Sequence, residues 1–426
     1  MITVLVIFFV LLFLGMPIGF VLGIAGIAGI IDAGGASFLS MAPKRFFAGL
    51  NLFPFLAMPF FILAGEIMNH TGITQRLVLF AEALVGYMRG GLAHSNMVAS
   101  VFFAGITGAA TADAAAFGKT LVPAMVKQGY DRPFACAVTA AGSIIGPTIP
   151  PSSLMVIYGS IMGVSIGGLF AAGILPGLLI CLVCMAIIAG VARRKNLPKA
   201  ENAPSLRQIL TAFRSSLIAL IMPIIILGGI LGGVVTPTEA ASVAVAYALF
   251  VGVVIYRAIT IDDFIQMLIR TARVTGVIFL IIASASILGW WLAFTQIPQA
   301  IAEGFLSVSD NPNVIIALIL ILLLTVGMLM DITAILIILA PVLAPLTLAI
   351  GMDPIHAGIV FVLALNISLM TPPVGACLFV LSSVTGERIE SIAAALWPFL
   401  LAEVAILVVI AYWPELALFL PRAFGL

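Results

Sequence analysis

Apolar runs long enough to cross a lipid bilayer recur along nearly the whole of this chain. They fall at residues 2–31, 50–69, 93–127, 133–160, 168–192, 215–235, 239–256, 274–294, 313–350, 355–383 and 391–413. A helix needs roughly 20 apolar residues to span the hydrocarbon core. Inside that core no water bonds the backbone, so each run must satisfy its own polar groups as a helix. The sequence therefore predicts an all-α polytopic membrane protein. Composition agrees, with 63% hydrophobic residues, 8% charged ones and a mean hydropathy of +1.31, where a soluble domain carries roughly 25% charged residues. A net charge of +1 supplies no basic face for nucleic acid. The first run has no basic segment before it and outruns the roughly 7–15 residues of a signal-peptide core, so it is expected to remain as a first span.

Charge placement orients the spans. Arg193, Arg194, Lys195, Lys199, Arg207 and Arg214 share the connection 193–214, which the positive-inside rule puts in the cytoplasm. From Val274 to Glu387 there is no lysine or arginine, so the connections Thr295–Pro312 and Gly351–Pro354, which carry only acidic charge, belong outside. Arg89, Lys127 and Arg132 put both ends of the 93–127 run on the cytoplasmic side. Lys44 and Arg45 do not fit the simplest count, which leaves one N-terminal crossing open.

The chain also matches itself at an offset of 222: Gly105 with Gly327, Thr111 with Thr333, Pro123 with Pro345, Gly129 with Gly351, Asp131 with Asp353, and Pro150-Pro151 with Pro372-Pro373. Opposite charge placement around the two copies makes this an inverted-topology repeat, a construction of secondary transporters. The expected division is a first repeat at 1–192, a basic cytoplasmic linker at 193–214 and a second repeat at 215–426. Each copy holds one long run broken by small and polar residues, 105–113 within 93–127 and 325–333 within 313–350. Both ends of each run lie on one side, which predicts a re-entrant hairpin of two half-helices of about 15 residues, each roughly 22 Å long. Each copy also holds a span broken by paired prolines, 133–160 and 355–383.

Proline removes a helix donor and frees a carbonyl one turn earlier. Irregular backbone at membrane depth survives only where it is buried in protein or lines a cavity. Freed carbonyls with Ser and Thr hydroxyls are hard ligands suited to Na+, and half-helix N-termini suit a carboxylate. Acidic residues within spans mark function by default; here they are Glu66, Asp113, Asp331, Glu239 and Glu403, the last expected to face a partner subunit. His70, His94 and His356 have no metal-ligand spacing, and Cys136, Cys181, Cys184 and Cys377 read as small hydrophobes. Asp113–Thr120 mimics a phosphate-binding loop, but Asp113 replaces its first glycine and would repel phosphate. Nothing suggests an enzyme or an ATPase, so energy must come from an ion gradient.

The strings Phe103-Ala104-Gly105-Ile106-Thr107-Gly108-Ala109-Ala110-Thr111-Ala112-Asp113-Ala114, Gly146-Pro147-Thr148-Ile149-Pro150-Pro151-Ser152, Pro59–Glu66 and Thr371-Pro372-Pro373-Val374-Gly375 resemble the large membrane subunit of tripartite ATP-independent periplasmic transporters. The resemblance runs the length of the chain. It implies a sodium-coupled importer of organic acids, such as C4-dicarboxylates or sialic acid, in the bacterial inner membrane. Its implied partners are a small four-helix membrane subunit and a periplasmic substrate-binding protein. It also implies an elevator, in which hairpins and broken spans move against a scaffold, with arm helices at Thr71–Met88 and Gln296–Ser309. A self-sufficient sodium-coupled anion symporter of the same superfamily is the alternative.

Carried over by position, a first sodium site uses Thr107 and Ala109 with Gly146, Ile149 and Pro151. Ala109 stands where serine is common in the family, so only its carbonyl can serve. The repeat register puts a second site at Gly327, Asp331 and Thr333 with Ser368, Thr371 and Pro373. The substrate cavity is expected to draw on Thr111, Asp113, Ser143, Ser152, Ser153 and Asn366. Two Na+ entering with a monoanion move one net charge, worth about 2.3 kcal/mol per 100 mV, before the sodium gradient adds to it.

Overall fold

A computed structural model of the chain describes residues 2–199 and 203–426, and among these every regular element is helical. Helix α1 (Ile2–Phe13) stops short of α2 (Ile18–Gly34), so the first apolar run is two helices rather than the single span expected. Gly15 takes a left-handed φ of +77°, and Pro17, the N-cap of α2, has no amide to continue the helix. Helix α2 runs through a tight turn into α3 (Met41–Leu50). Next come α4 (Ala57–His70) and α5 (Ile73–Val85), then α6 (Gly91–Thr107) and α7 (Ala110–Lys127). A broken span follows as α8 (Arg132–Ser143), α9 (Ile145–Thr148) and α10 (Ser153–Met162), and α11 (Ile166–Arg194) closes the first half.

The second half opens with α12 (Leu206–Leu231), α13 (Pro237–Phe250) and α14 (Ile261–Phe294). Side chains fix all three starts: Ser205 with Gln208, Thr236 with Glu239 and Thr260 with Asp263 form reciprocal capping boxes. These caps carry α12 and α14 further toward the basic connections than the apolar runs reach, so Arg207, Arg214, Arg270 and Arg273 are helical. Then come α15 (Ile297–Val308), α16 (Pro312–Gly327), α17 (Ile332–Ala349), α18 (Pro354–Ser368), α19 (Ala376–Thr385), α20 (Ile389–Tyr412) and α21 (Glu415–Phe424). Among the described residues, eight helical stretches are long and apolar enough to cross a membrane, judged by length and composition.

Two packed groups result. In one, α2 and α3 lie along α14, and α4 lies against α13 and α14. Four glycines of α2 make the first of these contacts possible. Gly19, Gly23, Gly26 and Gly29 face Leu280, Ser284, Ile287 with Leu288, and Trp291, and a Cβ on Gly26 would sit 2.8 Å from the Leu288 amide. Small residues at helical spacing are how helices approach closely where lipid gives no hydrophobic drive between them. In the other group, α7 packs on α8 and α19, α10 on α17, α16 and α17 on α18, and α11 on α18, α20 and α21. Helices α5 and α15, each with a left-handed N-cap residue (Gly72, Gln296), run beside α6 and α17 respectively.

Glu403 lies inside the second group, fully buried, with the Cys184 thiol donating to its Oε1 at 3.5 Å. It does not face outward toward another subunit, because α8, α11 and α18 enclose α20 at this level.

Candidate functional site

Helices α6 and α7 meet at Gly108 and Ala109. Gly108 adopts φ +59°, and a Cβ there would fall 2.3 Å from the Pro151 carbonyl oxygen. This turn therefore rests directly on the break between α9 and α10. Helix α11 presses the same break from behind, where a Cβ on Gly173 would meet the Thr148 carbonyl at 2.3 Å and one on Gly177 would meet Ile149 Cγ1 at 2.3 Å. Helices α16 and α17 meet over Met328–Asp331, where a Cβ on Gly327 would lie 2.3 Å from Ser368 Oγ. Each turn thus leans on the break of its own half through a glycine. Both Pro150-Pro151 and Pro372-Pro373 are cis peptides.

Ala109 and Asp331, 222 residues apart, are the N-caps of α7 and α17, which are 18 residues long each. Their chemistry differs. Asp331 Oδ1 accepts from the amides of Thr333 and Ala334 at 3.0 and 3.1 Å, while Ala109 offers no side-chain cap. The exposed Asp331 carboxylate retains Oδ2 for another partner.

Between the turns lies a cavity of about 410 Å³. The first turn contributes Gly108 to Ala112 and the second Asp331 to Thr333. Pro147, Ser153 and Asn366 come from the breaks and the helices flanking them. The opposite wall is Ile62, Gly65, Glu66 and Asn69 of α4 with Val274 and Ile278 of α14. Asn366 bridges the halves, its Nδ2 donating to Thr148 Oγ1 at 3.3 Å. Its Oδ1 and the buried Ser152 Oγ have no protein hydrogen-bond partner among the described residues.

Of the residues proposed from sequence, Ala109, Thr111, Ser153, Asp331, Thr333 and Asn366 line this cavity. Gly146 sits behind the first turn, its Cα so near Asp113 that a Cβ would lie 2.1 Å from Oδ2; Asp113 itself is fully buried in the first turn of α7. Ile149 turns toward α11, and Pro151 presents its carbonyl to Gly108. Ser143 is not part of the lining and donates to the Ala140 carbonyl at 2.7 Å beside Cys377. Ser368 and Thr371 donate to the Ala364 and Ile367 carbonyls one turn back, and Pro373 is exposed. The Thr107 side chain lies outside the described residues. Glu66 and Asn69 line the cavity although neither was placed among the ion or substrate ligands from sequence, and Arg270, which is not part of the lining, pairs with Glu66 at 3.8 Å. Their signal was present but faint: Ile62, Gly65, Glu66 and Asn69 recur at helical spacing on one face of α4.

Broken helices paired in two halves around one cavity that carries Glu66, Asn69, Asp331 and Asn366 among apolar side chains define a transporter of the polytopic membrane class. The crystal structure of the Alcanivorax borkumensis YdaH transporter has the same fold at a TM-score of 0.63, with 15% identity and 89% of each chain covered. Residues 5–416 match the family of the tripartite ATP-independent periplasmic transporter DctM component, and the chain belongs to that family. It is 40% identical over 417 residues to the sialic acid TRAP transporter large permease protein SiaM of Vibrio cholerae, covering 97% of this chain and 96% of that one. It is 38% identical over 405 residues to the C4-dicarboxylate TRAP transporter large permease protein DctM of Pseudomonas aeruginosa, covering 95% and 94%. The protein is a large permease component, not an enzyme.

Proposed function

We propose that the chain imports an organic acid together with Na+, working as the permease subunit beside a small four-helix membrane subunit and a periplasmic binding protein in the bacterial inner membrane. Sialic acid, a C4-dicarboxylate or a related carboxylate is the cargo class, as the names of its relatives suggest. The observation that carries this reading is the single cavity shared by both turns and both breaks. Asn366 and Asp331 of its lining carry hard oxygens suited to the ion, and the Pro151 carbonyl and the buried Ser152 Oγ of the first break, outside that lining, are of the same kind. No cluster of His, Cys, Asp and Glu suited to a transition metal occurs among the described residues.

Two sodium sites divide along the halves in this reading. The first uses Thr107, Ala109, Gly146, Ile149 and Pro151, the second Gly327, Asp331, Thr333, Ser368, Thr371 and Pro373. Only the second includes a charged side chain, so the two bind Na+ unequally. The halves 1–192 and 215–426 are inverted repeats joined by the cytoplasmic linker 193–214, and the two turns are re-entrant hairpins. An elevator would move the group α6–α11 and α16–α21 against α1–α4 and α12–α14, with α5 and α15, which pack on α6 and α17, as the arms between them. Uptake of radiolabelled N-acetylneuraminate and succinate into proteoliposomes holding the chain and its small subunit tests this. Transport requiring both an inward Na+ gradient and the binding protein supports the tripartite reading; sodium-driven transport without the binding protein replaces it with a self-sufficient symporter.

A further inference from the structure

An acid that crosses the cavity as an anion needs a cation or an N–H-rich partner for its carboxylate, and the two turns offer a few amides but no cation. The Thr333 and Ala334 amides at the start of α17 are already taken by Asp331. At the first turn the Ala112 and Asp113 amides bond back to the Ala109 carbonyl, and Ala109 has no polar side chain.

The opposite wall supplies what the turns lack. Glu66 lines the cavity from α4, and Arg270 of α14 reaches it, Nη1 to Oε2, at 3.8 Å. Among the described residues this is the one lysine or arginine ion-paired to a cavity-lining side chain. Arg270 also shares a face of α14 with the cavity-lining Val274 and Ile278, one turn apart each. The Arg270 side chain is 62% exposed and its contact with Glu66 is long, so the pair is weak and its members are free to exchange partners. A guanidinium fork matches a carboxylate in two parallel hydrogen bonds, a better fit than the present single contact.

We propose that Arg270, reaching the cavity wall through Glu66, is the residue that binds the carboxylate, and that Glu66 is its placeholder. The arriving acid displaces Glu66 from the guanidinium, and Glu66 returns as the acid leaves. The wall then never presents an unpaired cation to the empty cavity, and a permeant neutral molecule has nothing to exchange with. This inference rests on the organic-acid reading above and adds the residue that selects for negative charge.

The two members of the pair should respond with opposite sign. Equilibrium binding of radiolabelled succinate and N-acetylneuraminate is measured on the full chain with its small subunit in sodium buffer. Arg270→Gln is expected to weaken binding about tenfold, Arg270→Lys to recover part of that loss, and Glu66→Gln to bind at least as tightly as the native protein because the competing carboxylate is gone. Thermal unfolding should be nearly unmoved in all three. Parallel weakening by Glu66→Gln and Arg270→Gln would show a brace between α4 and α14 and overturn this inference alone. Native protein that binds neither of these acids nor any of a panel of further carboxylates that includes 2,3-diketo-L-gulonate would overturn the organic-acid reading, and this inference with it.

Discussion

Gly108 lies against the Pro151 carbonyl so closely that a Cβ would fall 2.3 Å from its oxygen, at a backbone φ of +59°. The contact fixes the first turn to the first break and sets the shape of the ion-binding corner. Gly108→Ala adds about 1–2 kcal/mol of left-handed strain and pushes the two apart. Sodium-dependent uptake should fall at least about tenfold with the protein still folded in the membrane. Gly129→Ala is the control, since Gly129 also has positive φ but nothing within 4 Å; it should cost stability without comparable loss of uptake.

Asp331 has two duties that can be separated. Its capping of α17 survives in Asp331→Asn and is lost in Asp331→Ala, which should lower stability by about 1 kcal/mol relative to the asparagine variant. Both should raise the sodium concentration needed for half-maximal uptake, because both remove the charge. An unchanged sodium response in Asp331→Asn would take Asp331 out of the ion site. At the matching N-cap, Ala109→Ser should stabilise the protein by about 0.5–1 kcal/mol, read as a higher unfolding temperature.

The α2–α14 seam predicts opposite signs for two glycines. A Cβ on Gly26 would meet the Leu288 amide at 2.8 Å, so Gly26→Ala should cost about 1–3 kcal/mol through overpacking. Gly276 on α14 has nothing within 4 Å, and Gly276→Ala should gain about 0.5–1 kcal/mol from helix propensity. Denaturation of the purified protein in detergent compares them.

Asn366 joins the two halves through Thr148, and its Oδ1 has no hydrogen-bond partner among the described residues. Asn366→Leu removes that bridge and one hard oxygen, at a cost of about 1–3 kcal/mol for the partners left unmade. Uptake should drop about tenfold or more. Asn366→Asp keeps an oxygen but adds a negative charge, so it should retain sodium activation while raising the KM for a dicarboxylate.

The turns and breaks were readable because glycine, proline and aspartate interrupt otherwise unbroken apolar runs. The helix breaks at Gly108-Ala109 and Met328–Asp331 fall inside the segments 105–113 and 325–333 marked on that basis. Other features depend on packing that no local pattern encodes. Glu66 and Arg270 sit on helices far apart in sequence, and only the association of α4 with α14 brings them together. The burial of Glu403 likewise follows from how α8, α11 and α18 surround α20. The split between α1 and α2 was visible in Gly15-Met16-Pro17, but the hydropathy of the run conceals it. Unequal breaks were not foreseeable from matching doublets: Pro150 and Pro151 are buried, whereas Pro373 is exposed.

The central claim is that both turns serve one ligand cavity. All four native cysteines are buried and free, so single cysteines can be introduced at Thr111 and Thr333 and labelled with a membrane-impermeant maleimide. Succinate or N-acetylneuraminate with Na+ should protect both positions over the same concentration range, and neither should be protected when Na+ is replaced by K+. Protection of one position alone, or of neither while uptake remains intact, would contradict a shared cavity.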